Sequence, residues 1–150
     1  MNIFVLDNDP VVAAQMQCDK HVVKMCLESA QMLSTVAGGP YKPTHAKHPC
    51  TVWAGKTLGN FRWLKLHGLA LCDEYSYRYG KQHKCRDIIA NIQEPLFNDA
   101  VLTPFALAMP VEHKQEDAVK AYRSYYKSKQ IDMRYTKRQQ PEWLLLRTRS

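Results

Sequence analysis

The sequence predicts an all-α protein: a compact single-domain helical bundle with two long helices, a shorter third helix and an irregular basic-aromatic C-terminal tail. Three observations carry this reading. Helical apolar periodicity runs from Pro10 to about Thr35 and again over residues 58–80. Residues 112–129 repeat it on a smaller scale, and nothing beyond residues 2–6 ("NIFVL") looks like a strand. At 150 residues, 45% hydrophobic and 23% charged, the chain is long and apolar enough to bury one core without staples.

Residues 2–6 are a short apolar run, strand or extended. "DNDP" then opens the first helix, with Asp9 as N-cap and Pro10 at the first helical position, where its missing N–H costs nothing. Gly38-Gly39-Pro40 ends it. At 100° per residue, Gln17, Lys20, His21, Lys24, Glu28 and Gln31 share one face, and Val12, Met16, Val22, Val23, Cys26, Ala30 and Leu33 the other. Asp19 falls on the apolar side, where a carboxylate needs a basic partner; Arg78 and His67 are the candidates.

Residues 38–50 form a proline- and glycine-rich loop, and "PCTVWAG" follows as one or two helical turns, with His48 either capping it or lining a site. The second long helix, 58–80, is apolar around most of its circumference and therefore central, and Gly80 stops it. Asn60, His67, Glu74 and Arg78 line up along it as a polar seam that requires partners. A shorter helix is expected at 84–93. Residues 94–110 carry three prolines and read as irregular, with a short helix near Pro104–Met109. Residues 112–129 begin acidic and end basic, as the helix dipole favours, and the tail is extended with a final turn.

The net charge of +7 is concentrated at the C-terminal end. From Lys120 onward four lysines and five arginines, Arg147 and Arg149 among them, face only Asp132 and Glu142, with tyrosines and Trp143 interleaved. That mixture suits a phosphate backbone with bases or ribose to stack on. No phosphate-binding glycine loop, dinucleotide fingerprint or G-x-S-x-G is present, which argues against kinases, dehydrogenases and hydrolases of those types. No run reaches the roughly 18–20 apolar residues of a membrane span, and no secretory leader precedes residue 10, so a cytoplasmic protein is expected. The five cysteines show no framework spacing and read as buried free thiols. Cys18 with His21, and His45 with His48 and Cys50, have ligand-like spacings but no anchoring motif, so no metal or cofactor is expected.

The sharpest chemical feature is the Lys20–His21–Lys24–Glu28 face. Two lysines flanking a histidine keep its imidazole neutral, and a neutral imidazole beside anion-holding cations is a workable general base. The alternative is an ordinary solvated face with i,i+4 pairs.

Taken together, a short lead into a first helix bearing Lys20-His21-x-x-Lys24, a proline-rich loop ending in His48-Pro49, a central helix ending "EYSYRYG" and a basic tail with "PEW" at 141–143 resemble the phage pyrimidine-dimer DNA glycosylases (the endonuclease V-like proteins) and their bacterial relatives. The resemblance spans nearly the whole chain. It implies a helical DNA-binding enzyme whose N-terminal α-amine attacks the sugar C1′, releases the base through an imine and cuts the strand by β-elimination, with a helix-borne glutamate assisting. Carried over, the amine is that of Met1, because Asn2 is too bulky to favour methionine removal. Lys20 and Lys24 match phosphate-binding residues, and His21 stands where the glutamate is expected, unless Glu28 two turns on takes that role. A desolvated Lys20 or Lys24 is an alternative imine-forming amine.

The expected function is thus a DNA glycosylase, with AP-lyase activity, acting on a damaged or modified pyrimidine nucleotide. Met1, Lys20, His21 and Glu28 are the catalytic candidates. Lys24, His48, Asn60, His67, Arg78, Arg134, Lys137 and Arg138 are the substrate- or phosphate-binding candidates. The expected partner is DNA or a nucleotide, the expected state a monomer in the cytoplasm, a host's if the chain is phage-encoded. The rival readings are a non-catalytic small basic DNA-binding protein and an enzyme acting on the glycosidic bond of a free nucleotide.

Overall fold

The computed structural model describes residues 1–148, with side chains through 145. The Arg147 side chain and Arg149, counted in the basic tail above, lie outside the described residues. Six α-helices form: α1 (Pro10–Gln15), α2 (Asp19–Ala37), α3 (Pro49–Ala54), α4 (Leu58–Tyr79), α5 (Arg86–Ala90) and α6 (Ala118–Ser128). Two 3₁₀ segments, Val111–His113 and Glu142–Thr148, complete the described secondary structure, and no strand occurs among the described residues. Residues 2–6 are extended without a strand partner.

Helix α4 is the axis, packed against α1, α2, α3 and α5. Phe61, Leu64, Leu71 and Cys72 on it are fully buried, which is what its near-continuous apolar circumference requires. Thr57 caps its first turn by accepting from the Asn60 amide (3.0 Å), and Gly80 ends it at φ +72°, a left-handed conformation that costs glycine little.

The first predicted helix is two helices. The chain leaves helical geometry at Cys18 (φ −68°, ψ 163°), and α2 restarts at Asp19. A break frees backbone groups, and buried ones must find partners. Here the C-terminal third supplies them: the Cys18 amide donates to the Tyr126 hydroxyl (2.9 Å), the Asp19 amide to the Arg134 carbonyl (2.8 Å), and the Tyr135 hydroxyl donates to the Met16 carbonyl (2.6 Å).

The expected short helix at Pro104–Met109 does not form. Its backbone is drawn outward instead: the Pro104 carbonyl accepts from Trp53 Nε1 (2.9 Å), the Ala106 carbonyl from the Tyr122 hydroxyl (2.6 Å), and the Ala108 carbonyl from Asn2 Nδ2 (2.9 Å). The helices expected at 84–93 and 112–129 are shorter. Asp117 caps α6 by accepting from the Lys120 amide (3.1 Å), which sets its start inside the expected range.

The polar seam of α4 is satisfied internally. Arg78, with its side chain wholly buried, donates to Glu74 Oε2 (2.8 Å), to Asp19 Oδ1 (3.0 Å) and to the Gln15 carbonyl (3.0 Å). Asp19 also accepts from the Thr136 hydroxyl (2.6 Å) and amide (3.0 Å). One arginine therefore joins α1, α2, α4 and the C-terminal segment. Burial opposes ionisation of Asp19, but the Thr136 and Arg78 hydrogen bonds outweigh it and hold the carboxyl below its ordinary value. Glu74 is lowered in the same way, with Arg138 and Arg78 overcoming burial.

Candidate active site

The lead segment is built to place the chain's first atom. Ile3, Phe4, Val5 and Leu6 are all buried, so residues 2–6 are anchored by their own apolar side chains. Asn2 adds polar control: its Oδ1 accepts from the Phe4 amide (2.8 Å) while its Nδ2 holds the Ala108 carbonyl. Phe4 is thereby kept at φ +34°, a region that non-glycine residues rarely occupy and that packing must enforce. The enforcing contact is a stack on the His21 ring, with centroids 4.6 Å apart at 13°.

This path sets the Met1 α-amine 3.2 Å from Glu28 Oε1 on α2. The Met1 side chain is only 3% exposed although the residue as a whole is half-buried, so the remaining exposure is on its backbone end. Glu28 is 8% exposed and is gripped on its other oxygen by Lys24 Nζ at 3.5 Å. Its Oε1 has no aligned hydrogen-bond donor, so the amine contact is an ion pair that leaves acceptor capacity facing the amine.

His48 closes the group from α3. Its Nδ1 accepts from the Cys50 amide (3.1 Å), so His48 caps α3. Burial lowers its pKa, the amine's positive charge and His45 lower it further, and Glu28 opposes them. Cys50 lies under the lead, its thiol pushed up to about 12 by burial.

The other candidates are placed as follows. Lys20 and Lys24 are exposed on α2, and Lys24 reaches this group through Glu28. His21 is not beside the amine. It is buried, covered by Phe4 and bonded through Nδ1 to the Tyr126 hydroxyl at 2.8 Å, and burial together with Lys129, Lys24 and Lys20 pushes its pKa down to about 4. Of the two, it is Glu28, two turns further along the same face, whose carboxylate contacts the amine.

Asn60, His67 and Arg78 are corrections: they are 0%, 1% and 2% exposed and cannot meet a phosphate. Asn60 binds the Trp53 carbonyl and Thr103, and His67 is bonded at Nδ1 to the Pro10 carbonyl (2.9 Å) and at Nε2 to Gln17 (3.1 Å). Arg138 is two-pronged on Glu74, at 2.9 Å for each bond, and stacks over Tyr77, which commits its charge internally. Arg134 and Lys137 are exposed, Arg134 in a surface pair with Asp132 at 2.7 Å.

Sequence reasoning gave no place to Asn2 and Phe4, whose pairing aims the amine. The signal available was the short, strongly apolar lead itself. It also left out a group of Cys26, Cys72 and His83, whose ligand atoms lie within 4.8 Å of one another. Cys18 with His21, and His45 with His48 and Cys50, make no such group among the described residues.

Among the described residues, no helix is long and apolar enough to cross a membrane. No curated protein and no solved structure matches the chain. A sequence model described as pyrimidine dimer DNA glycosylase matches residues 1–87, which include the lead, the amine, Lys24, Glu28 and His48. That match covers more than half of the 150 residues, and with it an all-helical fold built around an amine–glutamate pair: the chain belongs to the pyrimidine dimer DNA glycosylase family.

Proposed function

We propose that the protein excises a base from pyrimidine-dimer DNA through its N-terminal amine and then cuts the strand as an AP lyase. The amine lone pair attacks C1′. The C1′–N glycosidic bond breaks with its electron pair leaving on the base, which takes up a proton. Glu28 takes the proton that the attached nitrogen loses and returns it to O4′ as the C1′–O4′ bond opens, so that a protonated imine joins the protein to the sugar. Removal of a C2′ proton then expels the 3′-phosphate by β-elimination. The observation that carries this reading is the 3.2 Å approach of the amine to a buried carboxylate oxygen with no hydrogen-bond donor of its own. A general base must lie within such reach of the proton it takes. An α-amine is also the better neutral nucleophile, since α-amines ordinarily titrate near pH ~8 and lysine amines above ~10.

Lys24 orients Glu28 from its outer oxygen and, with Lys20, meets the backbone phosphates. Arg134 and Lys137 extend that cationic surface, and neutral His48 adds a polar wall without repelling the amine. The lesion must leave the helix stack to reach C1′, which a basic surface that binds both strands favours. We place this activity in a monomer in the cytoplasm.

Blocking the amine tests the reading. Acetylated protein, or protein extended by a few residues before Met1, is compared with the native N-terminus on an oligonucleotide carrying one cyclobutane pyrimidine dimer. Native protein is expected to break one glycosidic bond of the dimer, the base staying joined to its neighbour through the cyclobutane ring, and to nick the strand, and the blocked forms to bind without turnover. Equal turnover by blocked and native protein overturns the proposal.

A further inference from the structure

Away from the amine, α2, α4 and the link into α5 meet around sulfur. Cys26 on α2 and Cys72 on α4 are both 0% exposed, and their thiols are in hydrogen-bonding contact. His83, 9% exposed, brings an imidazole nitrogen to the same point, all three ligand atoms lying within 4.8 Å of one another. A fourth sulfur, Cys85, is also 0% exposed and close enough to Cys26 to act on it electrostatically. Its Sγ is held 3.6 Å from the Tyr41 hydroxyl.

We propose that Cys26, Cys72, His83 and Cys85 form a structural zinc site that ties α2, α4 and the start of α5 together. Tetrahedral zinc with Zn–S near ~2.3 Å and Zn–N near ~2.0 Å sets its ligand atoms roughly 3.5–3.8 Å apart; Cys26, Cys72 and His83 lie within 4.8 Å of one another, and Cys85 would turn its thiol from Tyr41 to complete the set. Three cysteines and one histidine are a donor set that zinc takes in closed sites. The histidine is already oriented for it. His83 Nε2 donates to the Val23 carbonyl (3.2 Å) and Nδ1 accepts from the Cys85 amide (3.0 Å), so zinc at Nδ1 would take the lone pair from that amide. A ring N–H fixed on a backbone carbonyl is how metal-bound imidazoles are ordinarily held. Binding forms two kinds of bond, zinc–thiolate and zinc–imidazole, and releases the thiol protons to solvent. This inference does not depend on the glycosylase reading, because the site lies in the helical packing and touches neither the amine nor Glu28.

The test is metal content of the reduced, full-length protein expressed in zinc-supplemented medium and purified without chelator. About one zinc per chain is expected by elemental mass spectrometry, released by a thiol-modifying reagent in step with cysteine modification. Cys26→Ser and Cys72→Ser are expected to lose the metal and Cys18→Ser, a buried thiol elsewhere, to keep it. Because a ligand variant that fails to fold also loses its metal, the unmodified protein is melted with and without a strong chelator, and the chelator is expected to lower the melting temperature. A metal-free, fully reduced protein whose melting is unchanged by added zinc overturns the proposal, as does a Cys26–Cys72 disulfide in the purified folded chain.

Discussion

The Met1 α-amine and Glu28 Oε1 stand 3.2 Å apart although the helix break, the turn at Phe4 and nearly three turns of α2 separate them in the chain. Two independent devices produce the approach: four buried apolar side chains fix the lead, and Asn2 bends it.

Glu28→Gln removes the proton acceptor while keeping shape and most of the burial. Single-turnover base release is expected to fall by about 10²–10⁴-fold, while DNA affinity changes little. Quench-flow on dimer-containing duplex measures the first, fluorescence anisotropy the second.

Lys20→Ala and Lys24→Ala are each expected to reduce the slope of log K against log salt by about one. Arg138→Ala should leave that slope unchanged, because its guanidinium is bound to Glu74 by two bonds of 2.9 Å. Titrations of DNA binding across a salt series separate the three.

Arg78→Met leaves Asp19 and Glu74 partly buried without their common cation. Breaking such a group costs about 3–5 kcal/mol, read as a lower denaturant midpoint. Asp19 keeps its own bonds to Thr136, so protection of the C-terminal segment in hydrogen exchange should fall only as far as global stability does.

Acid should unfold the protein in two stages. His67 is pushed down to about 4 by burial, and His21 to about 4 by burial and three lysines. Their folded pKa values lie below the unfolded one near ~6.5, so the unfolded state binds protons first, and stability falls as pH drops from about 6.5 to about 4. Each histidine contributes on the order of 3 kcal/mol to that loss. Asp19 and Glu74, both lowered, contribute stability present above the ordinary carboxylate range and lost as pH falls below it. Denaturant midpoints at stepped pH should show the first stage flattened in His67→Gln.

Local signals carried much of the fold. Glycine stops bounded the ends of α2 and α4, and a carboxylate on an apolar face beside a buried polar seam left Arg78 and His67 as partners for Asp19, of which Arg78 makes the bond. The break at Cys18 was not legible locally, since its freed backbone groups are satisfied by Tyr126, Arg134 and Tyr135 more than a hundred residues away. The same distance effect governs the candidate site. His21 and Glu28 share a face of α2, and only the path of Phe4 over His21 decides which of them meets the amine. Asn60, His67 and Arg78 were misjudged as ligand-facing because a polar seam looks alike whether its partners are phosphates or backbone carbonyls.

The most direct measurement is borohydride reduction during turnover on dimer-containing or abasic DNA, followed by digestion and peptide mapping. The account predicts a single covalent adduct on the N-terminal peptide at the α-amine of Met1, absent when that amine is acetylated. An adduct on Lys20 or Lys24, or none while base release proceeds, contradicts it.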